Sequence, residues 1–295
     1  LPGKLYLVAT PIGNLNDLTP RVKAALTESD LVLAEDTRVT VKILNHLGIQ
    51  RRLLSCHEHN ELERTSLIVS AAEADQSIAL VSDAGTPLVS DPGFQIVQKA
   101  IKANMTIVPV PGPSAFLLAL IGSGLPLNKF VFEGFLPDKL PKLRERLSEL
   151  ENEERTLIFY VSPHKLEKTL LALSAILGDR QVCLARELTK VHEEFLRGSV
   201  SNVLNIVGQR QVLGECVLVV AGALRTNKSA EEADSLPALR MQIEALLAEG
   251  KGVKEISQEC SDKFGWKRSR IYELANKLRQ SRESESQAGM SPTDE

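Results

Sequence analysis

Short apolar runs that alternate with amphipathic stretches are the feature that most limits how this chain can fold. Leu5–Ala9, Leu31–Ala34, Ser77–Val81 and Thr106–Pro109 are too short for helices and rich in branched apolar residues, so they read as buried strands. The stretches between them have helical spacing. Thr19 caps the first, with Pro20 in its first turn. Val39–Leu47 closes on Gly48, and Leu62–Ala74 and Phe94–Ala103 follow. Pro111–Ser114 then turns the chain into the apolar helix Ala115–Ile121. Strands alternating with helices predict an α/β domain with a mainly parallel sheet.

With 295 residues the chain exceeds what one core usually serves, so two domains are expected. Residues 1–122 form the first, and Gly122–Pro126 is the expected hinge. Residues 123–224 form the second, with strands at Phe130–Phe135, Thr156–Val161, Val182–Arg186, around Glu193–Arg197 and at Cys216–Ala221, and with helices at Leu140–Glu151 and about His164–Ile176. This half is expected to mix parallel and antiparallel pairing. Residues 225–235 read as a linker, 236–280 as a helical extension and 281–295 as a disordered tail.

Composition narrows the partners. The apolar fraction of 43% and charged fraction of 25% are those of an ordinary globular protein. Aromatics at 4% argue against a surface built of stacking rings, and a net charge of −3 argues against a uniformly basic coat. The four cysteines are scattered and expected to stay reduced, which fits the cytoplasm. No charged and then apolar opening and no run of 18 apolar residues is present, so neither export nor membrane insertion is expected.

The densest motif is Ser82–Gly93, SDAGTPLVSDPG, directly after a buried strand. Ligands of open α/β sheets gather outside the carboxyl ends of strands. Gly85 and Gly93 permit close backbone approach, Pro87 and Pro92 stiffen the loop, and Asp83 can accept hydrogen bonds from a ligand. A tight structural turn uses the same residues, but seldom at such length. Pro109–Ala115 also joins a strand to a helix, with Ser114 as a capping residue, and Ala9–Leu15 is the first such turn. Neither is a glycine-rich pyrophosphate cradle. Glu35-Asp36-Thr37-Arg38 is either a helix start or substrate handling. Cys56-His57-Glu58-His59-Asn60 lacks the second ligand pair a zinc site needs, so no metal is expected and a proton-handling or RNA-contacting histidine is preferred. Lys165, Arg186, Lys190 and Arg197 form either a phosphate-contacting face or a solvated charged surface.

Eight runs then carry a resemblance: VATPIGNL (8–15), AEDTR (34–38), HEHN (57–60), ALVSDAGTPLVSDPG (79–93), VPGPSA (110–115), FEGFLP (132–137), RTLIFYVSPHKL (155–166) and LARELTK with HEE (184–194). Together they closely resemble the 16S rRNA (cytidine-2′-O)-methyltransferase branch of the tetrapyrrole methylase superfamily. The resemblance implies a two-domain, class III methyltransferase fold and S-adenosylmethionine held in the cleft between the α/β domains. It also implies a homodimer and methylation of a cytidine in the decoding region of 16S rRNA within the small ribosomal subunit. No membrane or DNA partner is implied. By motif position, the donor contacts fall to Pro11, Gly13, Asp83, Gly85, Thr86, Ser114, Ala115, Tyr160, Leu188 and Ala221. Glu35, Asp36, His57 and Glu187 are the candidate bases. Arg38, His59, Asn60, Lys165, Arg186, Lys190 and Arg197 are candidates for handling RNA, with Lys190 or Arg38 also able to steady a developing alkoxide. A small-molecule tetrapyrrole methyltransferase and an idle ribosome-binding module of the same fold are the alternatives. The extension from Lys254 to Tyr272 faintly suggests a helix-turn-helix with Lys263, Lys267, Arg268 and Arg270 on a basic stretch. An RNA-docking or dimer-capping role is the preferred reading.

Overall fold

The computed structural model describes residues 3–224 and 227–288, in two compact units that divide after Ala223. The first unit holds two five-stranded sheets. Strands β1 (Lys4–Val8), β2 (Leu31–Ala34), β3 (Arg52–Ser55), β4 (Ile78–Val81) and β5 (Thr106–Val110) lie in the order β3-β2-β4-β1-β5, every pair parallel. Helices α1 (Pro20–Glu28), α2 (Thr37–Leu47), α3 (Glu61–Glu73) and α4 (Phe94–Lys102) make the crossovers. One core cluster is built around Val8, Val32 and Val81 and another around Leu5, Leu33 and Leu80. Residues an odd number of places apart on one strand, such as Val32 and Leu33 or Leu80 and Val81, point to opposite faces, so the sheet is buried on both sides.

The second sheet contains β6 (Phe130–Phe135), β7 (Thr156–Val161), β8 (Gln181–Arg186), β9 (Glu194–Ser199) and β10 (Cys216–Val220), ordered β6-β7-β10-β8-β9. The β6–β7 pair is parallel and the other pairs antiparallel, the mixture the sequence predicts. Helices α6 (Leu140–Glu149), α7 (Pro163–Leu177) and α8 (Val200–Gly208) pack with the sheet around Phe159, Leu170 and Leu218. Strand β3 and helix α8 have no counterpart in the sequence reading. Strand β3 is a four-residue edge strand that opens on an exposed Arg52 and buries no residue fully, so no apolar run announces it.

Helix α5 (Ala115–Ser123) corrects the expected hinge at Gly122–Pro126. Its Ala119 and Leu120 are buried against Ile158, Cys183, Ala185, Val217 and Val219, all on the second sheet. The helix therefore belongs to the second half by packing, although residue 122 leaves it with the first half by sequence. Its other face, with Leu117 and Ile121, stays exposed.

The second unit contains α9 (Asn227–Ala248), α10 (Val253–Phe264) and α11 (Arg268–Ala288) around Leu239, Ile243, Ile256, Trp266 and Ile271. Gly265, in the left-handed conformation, caps α10 and starts the short turn into α11. The linker expected over 225–235 is helical from Asn227 onward, and α11 runs through part of the expected tail to Ala288. Residues 225, 226 and 289–295 lie outside the described residues. No helix among the described residues is long and apolar enough to cross a membrane.

Candidate active site between the two sheets

The carboxyl ends of β1, β2, β4 and β5 face a cavity of about 440 Å³, closed on its other side by the ends of β6 and β7, the turn after β8 and the start of β10. That volume lies within the range of small-molecule and cofactor sites. The loops of the first sheet are stitched together by the protein's own hydrogen bonds. Thr10 and Gly85 exchange backbone hydrogen bonds at 2.8 and 3.0 Å. The buried Thr10 hydroxyl donates to the Ser82 carbonyl at 3.0 Å, and Thr86 donates to the Pro113 carbonyl at 3.2 Å. Gly85 has φ +86°, and a Cβ there would come within 3.3 Å of Ile12 Cγ2, so both its dihedral and its neighbour favour glycine.

Two other loops carry strain. Leu88 and Ser90 after β4, and Glu187 and Thr189 after β8, all have positive φ without being glycine. Each such residue costs about 1–3 kcal/mol and persists where the surroundings enforce it, commonly at ligand clamps. Thr189, being β-branched, is the most unfavourable of the four. The pair Glu187 and Thr189 flanks Leu188, whose buried side chain lines the cavity.

Of the four acidic residues that line the cavity, Glu215 pairs with Lys190, and the other three are Glu35, Asp83 and Asp91. Burial pushes Asp91 up to about 6, with the charges of Glu35 and Asp83 adding to the rise. Glu35 is raised first by burial and then by Asp83, and Asp83 is raised by burial. Such a cluster is relieved by a cationic ligand, since like charges in a half-buried space disfavour one another's ionisation. At the facing corner Ser114 opens α5 without a side-chain cap, which leaves first-turn N–H groups other than that of Phe116 for a ligand carboxylate. The Tyr160 phenol, raised by burial, meets the Phe116 backbone and the Ser114 side chain there.

Of the residues expected to contact a donor, Asp83, Gly85, Thr86, Ser114, Ala115, Tyr160 and Leu188 line the cavity. Pro11 and Gly13 flank Ile12, which lines it in their place, and the Lys190 stem packs against Gly13 so closely that a Cβ would lie 2.4 Å from Lys190 Cγ. Ala221 does not belong there. Strand β10 runs antiparallel to β7 and β8, so its start at Cys216 pairs with Val161 and Arg186 at the cavity, while Ala221 bonds to Gln181 at the far end of the sheet. Gly214, Glu215, Cys216 and Val217 take the position expected of Ala221.

Among the candidate bases, Glu35 alone lines the cavity. Asp36 is held by the Arg38 guanidinium, which lowers its carboxyl to about 2 and leaves it a poor base. Glu187 accepts from Lys190 Nζ at 2.9 Å and from the Glu215 backbone at 3.0 Å, and these bonds hold its carboxyl below the usual range. Lys190 is thereby committed to two carboxylates, Glu187 and Glu215, and is not available to steady an alkoxide. His57 sits in the turn after β3, its Nε2 3.2 Å from Asn60 Nδ2, away from the cavity wall.

The RNA-handling candidates scatter. Arg38 and His59 are exposed, and His59 lies 3.6 Å from Glu58. Asn60 is structural, its Oδ1 accepting from the His57 N–H at 2.9 Å and its Nδ2 donating to the Ser55 carbonyl at 3.3 Å. Lys165 pairs with Asp138. Arg186 bonds Glu194 and the Leu213 carbonyl, tying down the turns around β9 and β10. Arg197 stacks on Phe195 and donates to the Gly122 and Ser123 carbonyls, so it anchors the end of α5. Asp91 is a cavity residue that the sequence does not single out, although it stands in the same loop, because only the fold shows that this second aspartate reaches the cavity alongside Asp83. No cluster of three or more candidate metal ligands occurs among the described residues.

Two sheets meeting at such a cavity define a methyltransferase of the tetrapyrrole methylase type: residues 4–204 match the family described as Tetrapyrrole (Corrin/Porphyrin) Methylases, and the chain belongs to that family. It is 42% identical over 277 residues to the ribosomal RNA small subunit methyltransferase I of Synechocystis sp., covering 94% of this chain and 98% of that protein. The protein of the same name from Pseudomonas aeruginosa is 41% identical over 276 residues, covering 92% and 96%. Among solved structures, the methyltransferase CobJ superimposes with a TM-score of 0.55 at 20% identity, over 75% of this chain and 95% of that one, a likeness of fold.

Proposed function

We propose that the chain is an S-adenosylmethionine-dependent methyltransferase that modifies the ribose 2′-hydroxyl of a cytidine in the decoding region of 16S rRNA. The observation that carries this reading is the acid-rich cavity between the two sheets, set beside near-full-length relatives named for methylation of small-subunit ribosomal RNA. The residues present suit this donor. Three carboxyl groups meet its two positive charges, the free start of α5 can receive its carboxylate, and Ile12, Leu188 and Val217 give apolar walls. When bound, the donor supplies a methyl group already activated on a sulfonium sulfur.

The protein then has to align the ribose oxygen and accept its proton. Alignment alone is worth about 7–11 kcal/mol in well-oriented cases. Glu35 is the proposed proton acceptor: it is the one sequence candidate on the cavity wall, and burial lifts its affinity for a proton toward the working pH. Asp83 and Asp91 hold the cationic donor. The cytoplasm is the proposed setting, as the site of ribosome assembly. A homodimer is also proposed, supported by the exposed apolar side chains of Leu62, Phe94 and Ile101 on the neighbouring helices α3 and α4.

Incubation with labelled donor and small subunits stripped of modification, followed by mass spectrometry of the RNA, tests the reading. A methylated ribose on one cytidine is the expected result. Methylation of a porphyrinoid without RNA would transfer the assignment to a small-molecule enzyme, and absence of donor binding by calorimetry would leave a ribosome-binding module.

A further inference from the structure

A second cavity of about 150 Å³ adjoins the first and shares Phe135, Tyr160, Val161 and Ser162 with it. It lies where β6 and β7 end and α7 begins, and its outer wall is Asp138, Lys165 and Lys168. We propose that this second cavity holds the base of the nucleotide whose ribose is methylated, with Phe135 stacked on the ring and Asp138 reading its amino edge. The inference rests on the ribose-methylating reading of the main cavity and adds a base-recognition site to it.

The geometry favours a flat, single-ring occupant. Phe135 is 65% exposed, a large apolar surface left bare at the rim, and its ring lies 5.4 Å from that of Tyr160 at 57°. Nucleic-acid enzymes that act on one nucleotide draw it out of the stack and place it against such rings. A base beyond the Phe135–Tyr160 partition leaves its own ribose at the partition, facing the donor cavity. The polar rim supplies both signs. Asp138 is ionised and paired with Lys165, and its backbone carbonyl accepts from Lys168 Nζ at 2.5 Å. The exocyclic amine of cytosine can donate to the Asp138 carboxylate, while its ring nitrogen and carbonyl accept from Lys165. Uracil presents a carbonyl where cytosine presents the amine, and an oxygen there faces the carboxylate unfavourably.

The test uses the full chain with unmodified small subunits, carrying either the natural cytidine or a uridine at the target position. Wild-type transfer to cytidine comes first; if no RNA is methylated, this inference falls together with the parent reading. Given transfer, Phe135→Leu is expected to raise KM for the subunit about tenfold and Phe135→Trp to restore it. Asp138→Asn is expected to narrow the preference for cytidine over uridine about tenfold. Asp138 lies outside the donor cavity, so D138N should keep wild-type donor affinity by calorimetry, which also reports that it folds. Unchanged KM in F135L together with an unchanged base preference in D138N, with wild-type transfer intact, would overturn the subsite alone.

Discussion

Asp83 accepts the backbone N–H of Asp36 at 2.8 Å. The bond joins the loop after β4 to the turn after β2 and places Glu35, the residue before Asp36, on the cavity wall beside Asp83. Asp83 thus combines a scaffold bond with a negative charge that faces the proposed donor. Replacing it by Ala leaves the Asp36 N–H without its acceptor, at about 1–3 kcal/mol, and removes the charge as well. Donor affinity measured by calorimetry should fall about tenfold or more in D83A and less in D83N, whose amide oxygen still accepts. A D83A affinity within twofold of wild type would refute this role.

Asp91 makes donor binding sensitive to pH. Its folded pKa of about 6 stands above the ordinary value of 3.8, so the fold favours the protonated form. Its contribution to stability is then fully present below about 4 and is lost as pH rises through about 6. Since the group is only half-buried, solvent screening reduces the effect to about 1 kcal/mol. D91N should be more stable than wild type at pH 7 by that margin and equal to it near pH 4, as read from urea midpoints. A cationic donor should bind more tightly above pH 6 and release a proton on binding below it, which calorimetry in buffers of different ionisation enthalpy would detect.

Glu61 holds the start of α4 from a distance. Its Oε1 accepts from the Gln95 and Ile96 backbone N–H groups at 2.5 and 3.3 Å, although it begins another helix, α3. Gly93 supplies no side-chain cap to α4, so this buried carboxylate does the capping. E61A should cost about 1–3 kcal/mol and lower the melting temperature by about 2–4 °C per kcal/mol, while E61Q retains part of the loss. Equal melting temperatures for E61A and wild type would rule the cap out.

Arg197 separates a structural role from an RNA-binding one. Its bonds to the Gly122 and Ser123 carbonyls satisfy the C-terminus of α5. R197A should therefore lower thermal stability by about 1 kcal/mol and leave KM for the small subunit unchanged. An unchanged melting temperature with a salt slope of RNA binding reduced by about one would instead return Arg197 to the phosphate-contacting set.

Much of this architecture is legible in the residues themselves, because buried strands such as Ile78–Val81 are short apolar runs and Thr19 and Gly48 mark helix ends. What is not legible is strand direction and pairing. The Cys216–Val220 run looks alike read either way, so nothing in it tests the place that the resemblance implies for Ala221. Antiparallel pairing with β7 and β8 decides it. The roles of charged residues escape for a similar reason: Asp36, Glu187 and Lys190 read as free chemistry in the sequence, and only the fold pairs Asp36 with Arg38 and Lys190 with Glu187 and Glu215.

Helix α5 also governs what the two halves can do apart. Its first turn serves the pocket while its flank is buried on the far sheet, so the halves are bolted through a common rod and cannot be exchanged as cassettes. A fragment ending at residue 122 would carry that rod uncovered, adding the buried Ala119 and Leu120 to the Leu117 and Ile121 that already face water, and a fragment beginning there would have a hole in its own floor.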